Sequence, residues 1–326
     1  MVTPDYYDKF RCIGGECVHN CCCGGWEIEV DDEAISRFGE IEGEFGERVR
    51  ASISDENIFI HRDGCCPLLS SDGWCEMALR GHELCVVCDE YPRFTESWEG
   101  YSERGISLSC EAADEIILNN TDKVRLVGRG GKCSHPIFTF IYSAREKIFA
   151  ILQNRDMDIF KRMRLALDYA CELQDRINEN DYAHFEYEPQ DCFSGHESLE
   201  YFINFISGLE NLYPAWKDML ARVAEHEKDK PRHIVDSIKG EQLAVYFVYR
   251  YFLKAAFDCE ALDKMKLAVL SSMTIIALEN TLGDLSECAR IYSIEIEHDE
   301  DNIEAIYDEF LFGEELSFDN VINMID

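Results

Sequence analysis

Basic residues are scarce in this chain of 326 residues: 31 lysines and arginines stand against 65 aspartates and glutamates, for a net charge of −34. A surface of that sign repels nucleic-acid phosphates, so no nucleic-acid partner is expected; it keeps the protein soluble and steers lysine-bearing partners toward it. No apolar run approaches the ~20 residues of a membrane span, and no membrane association is expected. The opening, MVTPDYYDKFRC, lacks both the basic start and the apolar run of a secretory signal, so the expected compartment is the cytoplasm, where thiols stay reduced. Internal repeats and low-complexity tracts are also missing.

Cysteine is abundant, and unevenly placed. Eleven of the 16 cysteines lie between residues 12 and 110, and a twelfth is Cys133. Five of them, Cys12, Cys17, Cys21, Cys22 and Cys23, fall within RCIGGECVHNCCCGGWEIEVDD. A disulfide framework suits small secreted domains, whereas 326 residues with 46% hydrophobic content can bury a core without staples. Adjacent cysteines also bridge each other poorly, because neighbouring Cα atoms are held about 3.8 Å apart and a relaxed disulfide prefers about 5.5 Å. Metal or cluster ligation is the better use of these thiols. Cys171, Cys192, Cys259 and Cys288 stand alone, and a lone cysteine is usually a small buried hydrophobe.

The division this implies is a cysteine-rich region, 1–135, and a helical region, 136–326. Apolar residues recur at three and four in FTFIYSAREKIFAILQ from Phe138 and in DIFKRMRLALDYACELQDRI from Asp158. YAHFEYEPQDCFSGH, Tyr182 to His196, reads as a connector because Pro189 and Gly195 break the pattern. ESLEYFINFISGLENLY, GEQLAVYFVYRYFLKAAFD and DKMKLAVLSSMTIIALENTL read as the helical core. The aromatic run Tyr246, Phe247, Tyr249, Tyr251 and Phe252 is assigned to core packing rather than to a substrate platform. One segment runs against the acidic trend: Lys123, Arg125, Arg129, Lys132 and Arg145 have no acid between Asp122 and Glu146. It is either an anion-holding loop or a solvated basic one.

Only CVVC, Cys85 to Cys88, has the close pairing of a zinc knuckle, and the βαβ surroundings of a redox Cys-x-x-Cys are missing. Thiolates gathered from tight loops suit an iron–sulfur cluster, whose sulfides need close backbone N–H groups. Gly14, Gly15, Gly24 and Gly25 give the backbone freedom for that approach. Trp26 and Trp74 flank the candidate ligands and are expected to shield the centre from water. His19 and His135 could ligate metal, but with thiols in surplus they are expected to stay free of it.

FRCIGGECVHNCCCGGWEIEVDD, GCCPLLSSDGWCEM, CDEYPRF and RGISLSCEAA, taken in order over residues 5–118, resemble the flagellin lysine-N-methylase family, itself related to a wider cysteine-cluster group of zinc- or iron-chelating proteins. The resemblance implies an iron–sulfur protein, with a cluster of the [4Fe–4S] kind, that uses S-adenosylmethionine to methylate lysine ε-amines on flagellin. The family's recurring cysteines fall on Cys12, Cys17, Cys21, Cys22, Cys66, Cys75, Cys88 and Cys110, and its Tyr-Pro-Arg motif on Tyr91, Pro92 and Arg93. Cys23, Cys65 and Cys85 are additions to that pattern, and Cys23 is expected to be a bystander.

Methyl transfer by direct displacement requires a neutral amine and a bound sulfonium donor, and it needs no metal. The strand, glycine-rich turn and acidic residue about twenty positions on that mark many such enzymes are absent, as is Cys-x3-Cys-x2-Cys, since position 24 is glycine. Arg93 either binds a donor carboxylate bidentately, with Tyr91 beside it, or pairs with Asp89 or Glu90 to fix its loop. The expectation is therefore a mainly α protein in which an irregular, cysteine-rich metal-binding domain packs on a helical one. Two functions fit it: an iron–sulfur methyltransferase acting on protein lysines, and a non-catalytic zinc or iron–sulfur module.

Overall fold

Short, glycine-punctuated segments near the start cannot bury themselves and are collected onto a small sheet. In the computed structural model, which describes residues 1–190, 195–229 and 231–325, helix accounts for 55% and strand for 8%, so the chain is mainly helical with one four-stranded sheet. The strands are β1 (Val2–Pro4), β2 (Arg93–Trp98), β3 (Tyr101–Ile106) and β4 (Leu126–Gly128), in the order β2-β3-β1-β4. β2 and β3 form an antiparallel hairpin registered Arg93 to Ile106 and Trp98 to Tyr101. Its turn needs Gly100, whose φ is +78° and whose Cβ, if present, would lie 2.6 Å from the Lys132 carbonyl. β1 inserts between β3, in parallel, and β4, antiparallel.

The early helices are short: α1 (Asp32–Gly39), α2 (Gly43–Arg50), α3 (Glu76–Leu79), α4 (Val86–Glu90) and α5 (Glu111–Leu118). The later ones are α6 (Pro136–Leu152), α7 (Ile159–Asn178), α8 (Glu200–Ser207), α9 (Ala215–Glu227), α10 (Ser237–Tyr251), α11 (Ala255–Asp258), α12 (Ala261–Leu282), α13 (Leu285–Tyr292), α14 (Glu300–Phe312) and α15 (Phe318–Asn323). The helical periodicities at Phe138, Asp158, Gly240 and Asp263 all lie in these helices. Asp158 caps α7 by accepting from the Lys161 N–H. Between α13 and α14 the ladder widens into a π-turn, Ser293–Glu297.

α10 and α12 form the centre, and every residue of α12 from Asp263 to Leu278 is buried. Tyr246, Phe247, Tyr249, Tyr251 and Phe252 are all buried in this core, as their aromatic character required. Buried charges are paired. Arg145 makes a two-pronged bond to Glu103, at 2.7 and 2.8 Å, with both side chains 1% exposed, and Glu241 accepts from both Arg155 and Arg162. Arg145 therefore belongs to no anion-holding loop: burial under β3 gave it a single carboxylate partner, while Arg125 pairs with Asp5 at the surface. A second, smaller core holds Val30, Ala34, Phe38, Val49, Phe59, Leu68 and Met77.

The lone cysteines diverge. Cys288 is buried and Cys171 half-buried, but Cys259 is exposed at φ +68°, where it ends α11; the left-handed cap, not packing, decides its place. Cys192 lies outside the described residues. No helix is long and apolar enough to cross a membrane among the described residues.

Candidate metal centre

Four tethers draw the cysteine-bearing loops together. The 3-10 turn Cys21–Cys23 is capped by Asn20, whose Oδ1 accepts from the Cys22 N–H at 2.9 Å while its Nδ2 donates to the Gly73 carbonyl at 2.9 Å. The Cys66 N–H donates to the Cys22 carbonyl at 2.7 Å. Val18 and His19 donate their N–H groups to Glu111 at 3.3 and 2.8 Å, which brings the Cys17 loop to α5, capped by Cys110. Asp31 accepts from Ala34 N–H, capping α1, and from Val86 N–H at 2.8 Å, holding α4 with Cys85 and Cys88. Gly15 is obligatory here, since a Cβ would lie 2.3 Å from the Asp72 carbonyl and 2.5 Å from Trp74 Nε1.

These loops enclose a cavity of about 840 Å³. Cys12, Cys17, Cys21, Cys22, Cys66, Cys75, Cys88 and Cys110 all line it, as do Cys23, Cys85, Tyr91, Pro92 and Arg93. Its far wall comes from the helical part and includes Tyr213, Trp216, Met219, Arg290, Ile294 and His298. The lining is mostly apolar, and its size suits a small-molecule or cofactor site. Trp26 is on the wall, its ring edge-on to His298 at 5.0 Å. Trp74 is not; it is 37% exposed and lies outside, against Gly14 and Gly15, because those two residues have no side chain to displace it.

One expectation about redox state is corrected: Cys23 and Cys65 are joined as a disulfide. The bridge links non-neighbouring cysteines 42 positions apart, which the objection to vicinal pairs does not touch. While bridged, Cys23 offers no free thiolate, and the eight recurring cysteines are all free thiols. Burial pushes the Cys17 thiol up to about 12, with the Glu111 carboxylate adding to it, and pushes Cys110 up to about 11. Within the close pairs Cys21–Cys22 and Cys85–Cys88 one thiol hydrogen-bonds the other, so Cys21 and Cys85 fall to about 7 and their partners rise.

Arg93 pairs with neither carboxylate considered for it. Its Nη1 donates to the Asp89 backbone carbonyl at 3.1 Å, its guanidinium lies 5.0 Å from the Phe10 ring centre, and Glu90 is taken by Arg104. Its remaining N–H groups have no hydrogen-bond partner among the described residues. The Tyr91 hydroxyl is 3.2 Å from Ser109 Oγ. His19 pairs with Glu287 at 3.2 Å, and His135 sits at the N-cap of α6. Among the described residues, no three His, Cys, Asp or Glu side chains are gathered as one metal ion requires.

His298, Trp216 and Arg290 are wall residues that the sequence reading missed. Nothing in SIEIEHDE marks His298, because the π-turn that presents it has no short sequence signature. No family model, curated protein or solved structure matches this chain.

Proposed function

We propose that this protein is an iron–sulfur-dependent methyltransferase of the flagellin lysine-N-methylase kind, moving a methyl group from S-adenosylmethionine to lysine ε-amines of a protein such as flagellin. The observation that carries the reading is the convergence of all eight recurring cysteines, with Tyr91 and Arg93, on one cavity. In this reading the cysteine-rich region, 1–135, supplies the ligands and the helical region, 136–326, closes the site from the other side.

The donor set supports a thiolate-bound group wider than one ion. A tetrahedral zinc takes four ligands, with Zn–S near 2.3 Å, and eight thiols around one cavity exceed that number. A cluster of the [4Fe–4S] kind takes four thiolates at separated irons and supplies electron-transfer or Lewis-acid chemistry when bound. Cys12, Cys17, Cys21, Cys22, Cys66, Cys75, Cys88 and Cys110 are the residues that would hold it. The free N–H groups of Arg93 suit the donor's carboxylate, and the apolar wall suits a desolvated, neutral amine.

The test is anaerobic purification followed by iron and acid-labile sulfide analysis, then incubation with labelled S-adenosylmethionine and flagellin. Iron and sulfide in equal amounts, with label on flagellin lysines, are expected. A colourless zinc protein that transfers no label would leave the non-catalytic module as the correct function.

A further inference from the structure

One cluster of the [4Fe–4S] kind takes four thiolates, so the eight recurring cysteines of the cavity leave four over. Their packing sorts them. Cys110 rests on the large core, as does Ile13, the neighbour of Cys12. Glu111 accepts from Val18 N–H at 3.3 Å and from His19 N–H at 2.8 Å, which lays the Cys17 loop on α5 beside Cys110. Neighbouring thiolates oppose each other's ionisation. Burial, then the charges of Glu111, Cys110, Cys12 and Cys21, raise Cys17, while Cys21 and Cys12 add to the burial that raises Cys110. Cys12, Cys17, Cys21 and Cys110 therefore form one neighbourhood.

The other four gather at the small core. Cys66 and Cys75 pack against it with Cys85, in a turn closed by Leu69 N–H donating to the Cys66 carbonyl at 3.1 Å and Glu76 N–H donating to the Leu68 carbonyl at 2.9 Å. The Cys66 N–H holds Cys22 by its carbonyl at 2.7 Å. Asp31, accepting from Val86 N–H, hangs α4 and Cys88 from α1, whose Ala34 and Phe38 belong to the same core. Cys22, bonded by Cys21 and buried, is raised further by Cys66 and Cys75; Cys88, bonded by Cys85 and buried, is raised further by Cys22 and Cys66. Cys85 is a fifth thiol here, but it is 1% exposed within the small core, whereas Cys88 is exposed. The border falls in the turn Cys21–Cys23, where a 3-10 geometry points successive side chains about 120° apart. Cys21 also meets Cys22 and Cys66, so the two neighbourhoods adjoin.

Resting on the iron–sulfur part of the reading above, we propose that the chain holds two clusters of the [4Fe–4S] kind, the first on Cys12, Cys17, Cys21 and Cys110 and the second on Cys22, Cys66, Cys75 and Cys88. Each set supplies one thiolate per iron, and none is shared. The first set is the one beside the groups that suit the methyl donor. Cys110 and Cys21 border Tyr91, whose ring stands 6.1 Å from that of His298, and the Arg93 guanidinium lies 5.0 Å from the ring of Phe10, two positions before Cys12. The second set has the small core behind it. A cluster there joins the Cys22 turn, the turn between Cys66 and Cys75, and α4 into one unit, which is a structural task. Methyl transfer stays with the first.

The experiment uses the full chain, purified without oxygen, and compares the wild type with two double variants, Cys17→Ala with Cys110→Ala and Cys66→Ala with Cys75→Ala. Iron, acid-labile sulfide, zinc, the electron paramagnetic resonance of the reduced protein and helical circular dichroism are measured on each. The wild type is expected to carry about eight irons and about eight sulfides, twice the content of one cluster. Each double variant should keep about half of both, and the resonance left in one should differ from that left in the other, since each reports a different site. About four irons in the wild type, with or without zinc, overturns the second cluster and leaves the iron–sulfur reading standing. A variant that keeps its helices but loses all its iron overturns the sorting in the same way. Where a variant loses its helices, the wild-type count decides. A wild type without iron or sulfide overturns both readings.

Discussion

The cysteine-bearing loops, 10–28 and 61–91, and the helical body solve one problem in different ways. In the body, side chains make their own interior: α12 is buried throughout Asp263–Leu278, and buried charges such as Arg145 and Glu241 meet partners already in the chain. The loops have only the small core around Phe38 and Leu68, four tethers and a disulfide, and their free thiols line a cavity. A region that encloses a cavity cannot also be stabilised by filling it. In the proposed reading a bound group supplies part of its free energy.

The strongest way to break this contrast is to remove metal. Chelation is expected to release the loops, since structural metal binding is worth about 10 kcal/mol or more in small metal-folded units, while leaving helical circular dichroism nearly unchanged. Trypsin cleavage after Arg62, exposed in the second loop, should accelerate about a hundredfold or more, in line with a few kcal/mol of lost local protection. Simultaneous loss of helix would mean that the two regions are a single cooperative unit.

Next in size is Glu241→Ala, which strands Arg155 and Arg162. Removing one partner of a buried ion pair costs about 3–5 kcal/mol. Urea unfolding followed at the tryptophans measures it, and a change under about 1 kcal/mol would remove the distinction between a self-sufficient body and dependent loops.

Cys65→Ser sharpens the comparison within the loops. It removes the Cys23–Cys65 bridge and leaves Cys23 as a free thiol on the cavity wall, at an expected cost of about 2–4 kcal/mol. Hydrogen exchange should rise at Cys22 and Cys66 amides and stay constant in α10. The smallest effect is expected for Arg125→Ala, which breaks the exposed pair with Asp5 and should shift unfolding by about 0.5 kcal/mol or less.

The same contrast explains what could be read from the sequence. Helical periodicity is a local property, so α6, α7, α10 and α12 were legible, as was the crowding of eleven cysteines between residues 12 and 110; which eight of them to single out came only from the family resemblance. Features made by contacts over long separations were not. β1 is three residues long and exists only because Glu103 and Leu126–Gly128 flank it. Arg145 reads as part of a basic segment until β3 covers it with Glu103. The Cys23–Cys65 pairing and the placing of His298 against Ser107 and Ser109 require chain segments 42 and about 190 residues apart to meet, and no nearby residue signals either.

The far wall of the cavity has a consequence for biosynthesis. Ribosomes deliver the chain from the N-terminus, and domains begin to organise in that order. Every cysteine of the candidate centre lies at or before Cys110, whereas Tyr213, Trp216, Arg290 and His298 follow it by 103 to 188 residues. For the time needed to make that stretch, the thiol loops stand open on one side to whatever cellular machinery carries iron and sulfide. Arrival of α13 and the π-turn then adds the far wall, so in the proposed reading the group is expected to enter while the chain is still being made.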